Sequence, residues 1–151
     1  MTRPTTQPPE PSTQTPLPPD LADRPATAAM SRPVIVVSAT ATLTEALGLL
    51  TAARVRHLVL VGDDLRCQGV IVDRALASEW ARDPAGFGDR TVGEIVDRVA
   101  PIVPVNASIA DAAKAMQRYQ LDAVVVVEAR GMALGIITAT DLIALLAAGK
   151  R

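Results

Sequence analysis

At Thr42/Glu45, Ser108/Asp111 and Thr138/Asp141 the chain puts a hydroxyl three residues ahead of a carboxylate. Such a pair can do two kinds of chemistry. As a capping box, the hydroxyl accepts the N3 amide while the carboxylate reaches back to the N-cap amide, and the helix start is satisfied without help. As a binding site, the carboxylate accepts from paired hydroxyls of a ligand, and the hydroxyl and free amides at the helix start meet an anion. Spacing alone leaves both open for Thr138/Asp141. Other reactive types are sparse. There is one histidine, His57, and one cysteine, Cys67, so neither an internal disulfide nor a His/Cys metal cluster can form, and no base is visible to activate a nucleophile. We therefore expect no enzyme activity and no required cofactor.

Charge narrows the partners. With 15 basic and 16 acidic residues mixed along 151, no stripe of positive charge exists for a phosphate backbone, which argues against nucleic acid. No stretch approaches the roughly 20 apolar residues that span a bilayer, and no leader is apparent, so the reading is a cytoplasmic protein without a membrane partner.

The elements that must position these residues appear when the chain is compared with itself. One gapless offset of 66 places Val37 on Val103, Ala46 on Ala112, Val59 on Val125, Gly69 on Gly135, Ile71 on Ile137 and Leu76 on Leu142. Two copies of one unit follow, residues 25–83 and 91–148, joined by a Pro/Gly linker at 84–90. Residues 1–24, rich in Pro and Thr, read as a disordered tail. Each copy should run β-α-β-β-α. The expected strands are 34–37, 58–61 and 69–72 in the first copy, and 101–103, 124–127 and 135–138 in the second. Leu43, Ala46, Leu47 and Leu50 mark the buried face of one helix, and Ile109, Ala112, Ala113 and Met116 that of its counterpart. The fold class is α+β, with each sheet needing the other copy to cover it.

Three segments carry a family resemblance: Thr91-Val92-Gly93-Glu94-Ile95-Val96, Asn106-Ala107-Ser108-Ile109, and Gly135-Ile136-Ile137-Thr138-Ala139-Thr140-Asp141-Leu142. With their order and repetition, the chain resembles a tandem cystathionine-β-synthase (CBS) domain pair, the Bateman module. That resemblance implies packing about a pseudo-twofold axis, a cleft suited to AMP, ADP, ATP or S-adenosylmethionine, a homodimer, and an effector protein that receives the signal. It also implies a site. Thr138 and Asp141 would meet phosphate and ribose. Val34, Val55 and Ile136 would flank the adenine, Arg32 and Arg56 would neutralise phosphate charge, and Ser31 and His57 would stand beside them. At the sister position Val72 and Ala75 replace the hydroxyl and carboxylate, so at most one nucleotide per chain is expected. The alternative is a ligand-free dimerisation module in which Thr138 and Asp141 only cap a helix.

Overall fold

The computed structural model describes residues 19–96 and 101–149. Each copy folds in the expected order. In the first, β1 (Val36–Ser38), α2 (Leu43–Ala53), β2 (His57–Val61), β3 (Cys67–Val72) and α3 (Asp73–Arg82) follow one another. In the second, β4 (Ile102–Pro104), α5 (Ile109–Tyr119), β5 (Ala123–Val127), β6 (Ala133–Thr138) and α6 (Ala139–Gly149) repeat them. Before each copy stands a short lead-in helix, α1 (Pro19–Asp23) and α4 (Val92–Ile95). Both sheets have three strands with the long central strand paired parallel on one side and antiparallel on the other. The opening strands start one or two residues later than the β-branched runs suggest, because only Val36–Ser38 and Ile102–Pro104 pair with the central strands. The closing strands begin two residues earlier than expected, and Cys67 therefore lies in β3 rather than in the turn before it.

The copies match in their irregularities as well. Register shifts fall at Leu60/Val61 and Val126/Val127, 66 residues apart. The helices α2 and α5 begin with complete capping boxes at Thr42/Glu45 and Ser108/Asp111. They end on Arg54 and Gln120, at φ 56° and 54°, in a left-handed conformation that a Cβ makes costly.

Val59 and Val61 from one sheet meet Val125 and Val127 from the other, with Val34, Cys67, Val70 and Ala133 around them. These are equivalent positions of the two copies, so the interface is pseudo-symmetric. The opposite faces are covered by helices. Leu43, Ala46, Leu50, Leu58, Leu60 and Leu76 fill the first core, and Ala112, Met116, Val124, Val126 and Ile137 the second. Leu47 and Ala113, expected inside, face outward instead, Leu47 being 46% exposed. A helix apolar over more than half its circumference cannot bury all of it against one sheet.

Lead-in segments are exchanged between copies. Val92, ahead of the second copy, is fully buried in the first core, and its N–H donates to Ala41 O. Ala26, ahead of the first strand, is fully buried in the second core and donates to Ala107 O, while Arg24 O accepts from Ile109 N. Residues 1–18 of the expected tail lie outside the described residues. Its last part is corrected: Pro19–Asp23 is helical and Leu21 is buried, because the groove beside α5 gives it apolar partners. The 84–90 connection is likewise packed. Phe87 sits in the first core, and Arg90 Nη2 lies 3.0 Å from Glu79 Oε1.

One lead-in builds a wall of the cleft described below. Ser31 pairs with Ile136 through Ser31 N to Ile136 O at 2.8 Å and Ile136 N to Ser31 O at 3.2 Å. The pairing requires Gly135, where a Cβ would fall 3.0 Å from Ser31 O and 2.6 Å from Met30 Sδ. Gly135→Ala should cost about 1–3 kcal/mol by overpacking. Urea unfolding checks this, the midpoint falling with an unchanged slope. Gln120→Gly should do the reverse, raising stability by about 0.5–1 kcal/mol, the left-handed penalty relieved less the extra chain entropy of glycine.

Candidate functional site

The cleft lies at the seam of the two copies, at the end of the sheets where β2 and α6 begin. Its cavity is about 260 Å³. Pro33, Val34 and Ile35 come from the first copy's lead-in, Val55, Arg56 and His57 from the start of β2, and Ile136 and Thr138–Asp141 from the end of β6 and the start of α6. Eight of the residues singled out in the sequence therefore border one cavity: Ser31, Val34, Val55, Arg56, His57, Ile136, Thr138 and Asp141. Arg32 does not line it; its side chain is exposed while its neighbours Ser31 and Pro33 face the cleft.

Thr138 and Asp141 form the reciprocal pair at the head of α6. Thr138 N donates to Asp141 Oδ2 at 2.9 Å, and Asp141 N donates to Thr138 Oγ1 at 3.2 Å. Oδ1 takes no part in the cap, and the single Ser31 hydroxyl lies 3.3 Å from Oδ1 and 3.4 Å from Oδ2, donating across the cleft to the carboxylate. The carboxylate thus caps the helix and also faces a hydroxyl across the cleft. Ala139 N donates to Asp122 O at 2.8 Å, which ties the start of α6 to the start of β5.

Asp122 was not singled out from the sequence, and it matters here. His57 Nε2 and Asp122 Oδ1 are 3.2 Å apart, joining the first copy to the second with a histidine side chain only 12% exposed. Burial pushes the Asp122 carboxyl up. The His57 hydrogen bond and charge, its own backbone N–H and the Arg74 charge together outweigh that and hold it below its ordinary value. The repeat carries a signal for it, since Asp122 stands 66 residues after Arg56, which the sequence assigns to the cleft. Arg56 is itself engaged: its Nε donates to Asp73 Oδ2 at 3.0 Å, and Asp73 Oδ1 accepts Arg74 N at 2.7 Å.

The sister cleft, about 210 Å³, is bordered by Val70, Val72, Ala75, Leu121 and Asp122 among others. Val72 and Ala75 occupy the places of Thr138 and Asp141 and can form no equivalent hydrogen bonds. Among the described residues no group of histidine, cysteine, aspartate or glutamate side chains could hold a metal ion, and no helix is long and apolar enough to cross a membrane.

The model of the CBS domain matches residues 26–82 and again 92–148. The chain belongs to the CBS domain family. No curated protein sequence matches it. Among solved structures, the CBS pair is similar to Hypoxic Response Protein I with two coordinated zinc ions, at 27% identity and a TM-score of 0.71, covering 80% of this chain and 97% of that one. It is also similar to the CBS domain pair of protein MJ0100 in complex with 5′-methylthioadenosine and S-adenosyl-L-methionine, at 24% identity and 0.73, over 84% and 98% of the two chains. CBSX2 in complex with AMP matches at 22% identity and 0.71, over 85% and 99%. The last two likenesses establish the shared fold.

The lowered Asp122 carboxyl makes a pH prediction. Folded Asp122 releases its proton more readily than unfolded Asp122, so its contribution is present at neutral pH and is lost as pH falls below the ordinary carboxylate value near 3.9. Asp122→Asn should lower stability at pH 7 and flatten the acid limb below about pH 4. Urea unfolding at a series of pH values measures both.

Proposed function

We propose that this CBS pair is a regulatory module that binds one adenosine-bearing ligand per chain in the Thr138/Asp141 cleft and transmits the bound state to a separate effector protein. One observation carries the reading. Asp141, though it caps α6, turns a carboxylate toward a cavity with apolar walls at Val34, Val55 and Ile136, the combination a nucleoside needs for its ribose hydroxyls and its base. Phosphate esters and S-adenosylmethionine are both members of that ligand class. Neighbouring folds crystallised with AMP or with S-adenosyl-L-methionine support the choice. Ser31 would surrender its contact with Asp141 to the ribose, so ligand binding and the exchanged lead-in are linked.

The same reading includes a cytoplasmic homodimer. Leu47, Trp80 and Ile143 are exposed apolar side chains on α2, α3 and α6, the last two being equivalent helices of the repeat, a pattern suited to isologous pairing. Light scattering at tens of micromolar should return twice the chain mass, the range in which a specific interface persists.

The ligand-free alternative rests on the capping geometry, which is complete without a nucleotide. Calorimetry separates the two readings. Adenosine-bearing ligands should bind once per chain, and Asp141→Asn should weaken them by about 1.5–3 kcal/mol, the scale of hydrogen bonds to a charged group, while the helix stays capped. Identical flat titrations of both proteins at millimolar ligand would leave the capping role alone.

A further inference from the structure

The charged groups around the cleft are already committed to one another in a way that bears on which adenosine-bearing ligand it accepts. Arg56 is the cation placed to meet a phosphate, but its Nε donates to Asp73 Oδ2 at 3.0 Å, and Asp73 is held in turn by Arg74 N at 2.7 Å and donates its own N–H to Arg56 O at 3.0 Å. Arg56 and Asp73 are thus joined through backbone and side chain together. His57 faces the Asp122 carboxylate at 3.2 Å, and the Arg74 charge acts on the same carboxylate. At the head of α6, two of the first three N–H groups are spent: Ala139 N on Asp122 O and Asp141 N on Thr138 Oγ1. The helix dipole is therefore left with few amides to offer an anion.

Two carboxylates, Asp122 and Asp141, border the cavity, and the Arg56 charge is offset by Asp73. A phosphate entering here would meet negative charge from Asp141 and would have to share with Asp73 the one arginine that lines the cavity, since Asp73 holds Arg56 by its Nε. A neutral or positive group at the same place meets no such opposition.

Resting on the adenosine-site reading above, we infer that the cleft selects adenosyl ligands whose 5′ substituent is uncharged or cationic, a thioether or a sulfonium, over 5′-phosphate esters. Asp73 is the positioning residue for that choice, since its carboxylate holds the Arg56 guanidinium by Nε and offsets its charge beside the cavity.

The probes are 5′-methylthioadenosine, S-adenosylmethionine, AMP and ATP, titrated into the full chain by calorimetry at one pH and two salt concentrations. In the wild type the thioether and sulfonium should bind at least tenfold more tightly than AMP or ATP. Asp73→Asn, which frees Arg56, should tighten AMP several-fold and leave the thioether within twofold. Arg56→Gln should leave AMP affinity unchanged in the wild-type background. Circular dichroism establishes that each variant is folded, and Asp122→Asn, which removes a cleft carboxylate without touching α3, gives a second route to tighter AMP. AMP or ATP binding as tightly as the thioether, or a tenfold loss of AMP affinity in Arg56→Gln, would overturn the inference while keeping the adenosine site. Failure of all four probes to bind would overturn the adenosine site itself, and the inference with it.

Discussion

A three-stranded sheet with helices on one face leaves its other face bare, and the bare face here is valine. Val59 and Val61 alternate outward from the first helical core, as Val125 and Val127 do from the second, and burying each set of isopropyl groups against the other removes both from water at once. Neither copy has another element to lay on that surface. The seam between the sheets is therefore the constraint from which the remaining architecture follows. It brings β3 beside β5. It also leaves clefts where the strand ends diverge, so the cavity is a product of duplication rather than of either copy alone.

The exchanged lead-ins reinforce the seam. Val92 and Ala26 are each wholly buried in the core of the copy that precedes or follows them in the chain, and each reaches it through backbone hydrogen bonds, Val92 N to Ala41 O and Ala26 N to Ala107 O. Pulling the copies apart would strip both cores as well as expose the valines. Cooperative unfolding of the pair as one unit follows from this geometry. Because Ser31 belongs to one of these lead-ins and touches Asp141, any ligand that displaces Ser31 acts directly on an element shared by both copies. That is a physical route by which an occupied cleft could alter the outer surface.

Repetition made much of this legible in the sequence. A shared register of 66 residues revealed the copies, and within each copy hydroxyl-to-carboxylate spacing marked the helix starts while β-branched runs marked the central strands. What stayed hidden depends on partners distant in sequence. Pro19–Asp23 carries one large buried side chain, Leu21, too little for a periodic signal, and its order depends on the groove beside α5. Leu47 and Ala113 satisfy the helical period yet face outward, since period measures the apolar stripe and not the width of the sheet that covers it. In the cleft, residue types were readable and their partnerships were not. Arg56 looked available for phosphate, and Asp73, 17 residues later, occupies it.

Asp122 illustrates the same limit and also what duplication permits. By register it takes the place of Arg56, so the two copies present opposite charges at equivalent points. Symmetric sequences would have put two arginines or two aspartates there, and in either case a like charge would stand beside each cleft. The divergence lets Asp122 border both cavities while pairing with His57 of the other copy. It sits between a cleft with hydrogen-bonding groups at Thr138 and Asp141 and one whose equivalent positions are Val72 and Ala75. The His57 contact ties the start of β5 in one copy to the start of β2 in the other at the point where the two cavities meet. The asymmetry between the clefts is thus more than the loss of one site. It leaves one cleft with hydrogen-bonding groups at Thr138 and Asp141 and the other lined mainly by apolar side chains, with Asp122 bordering both.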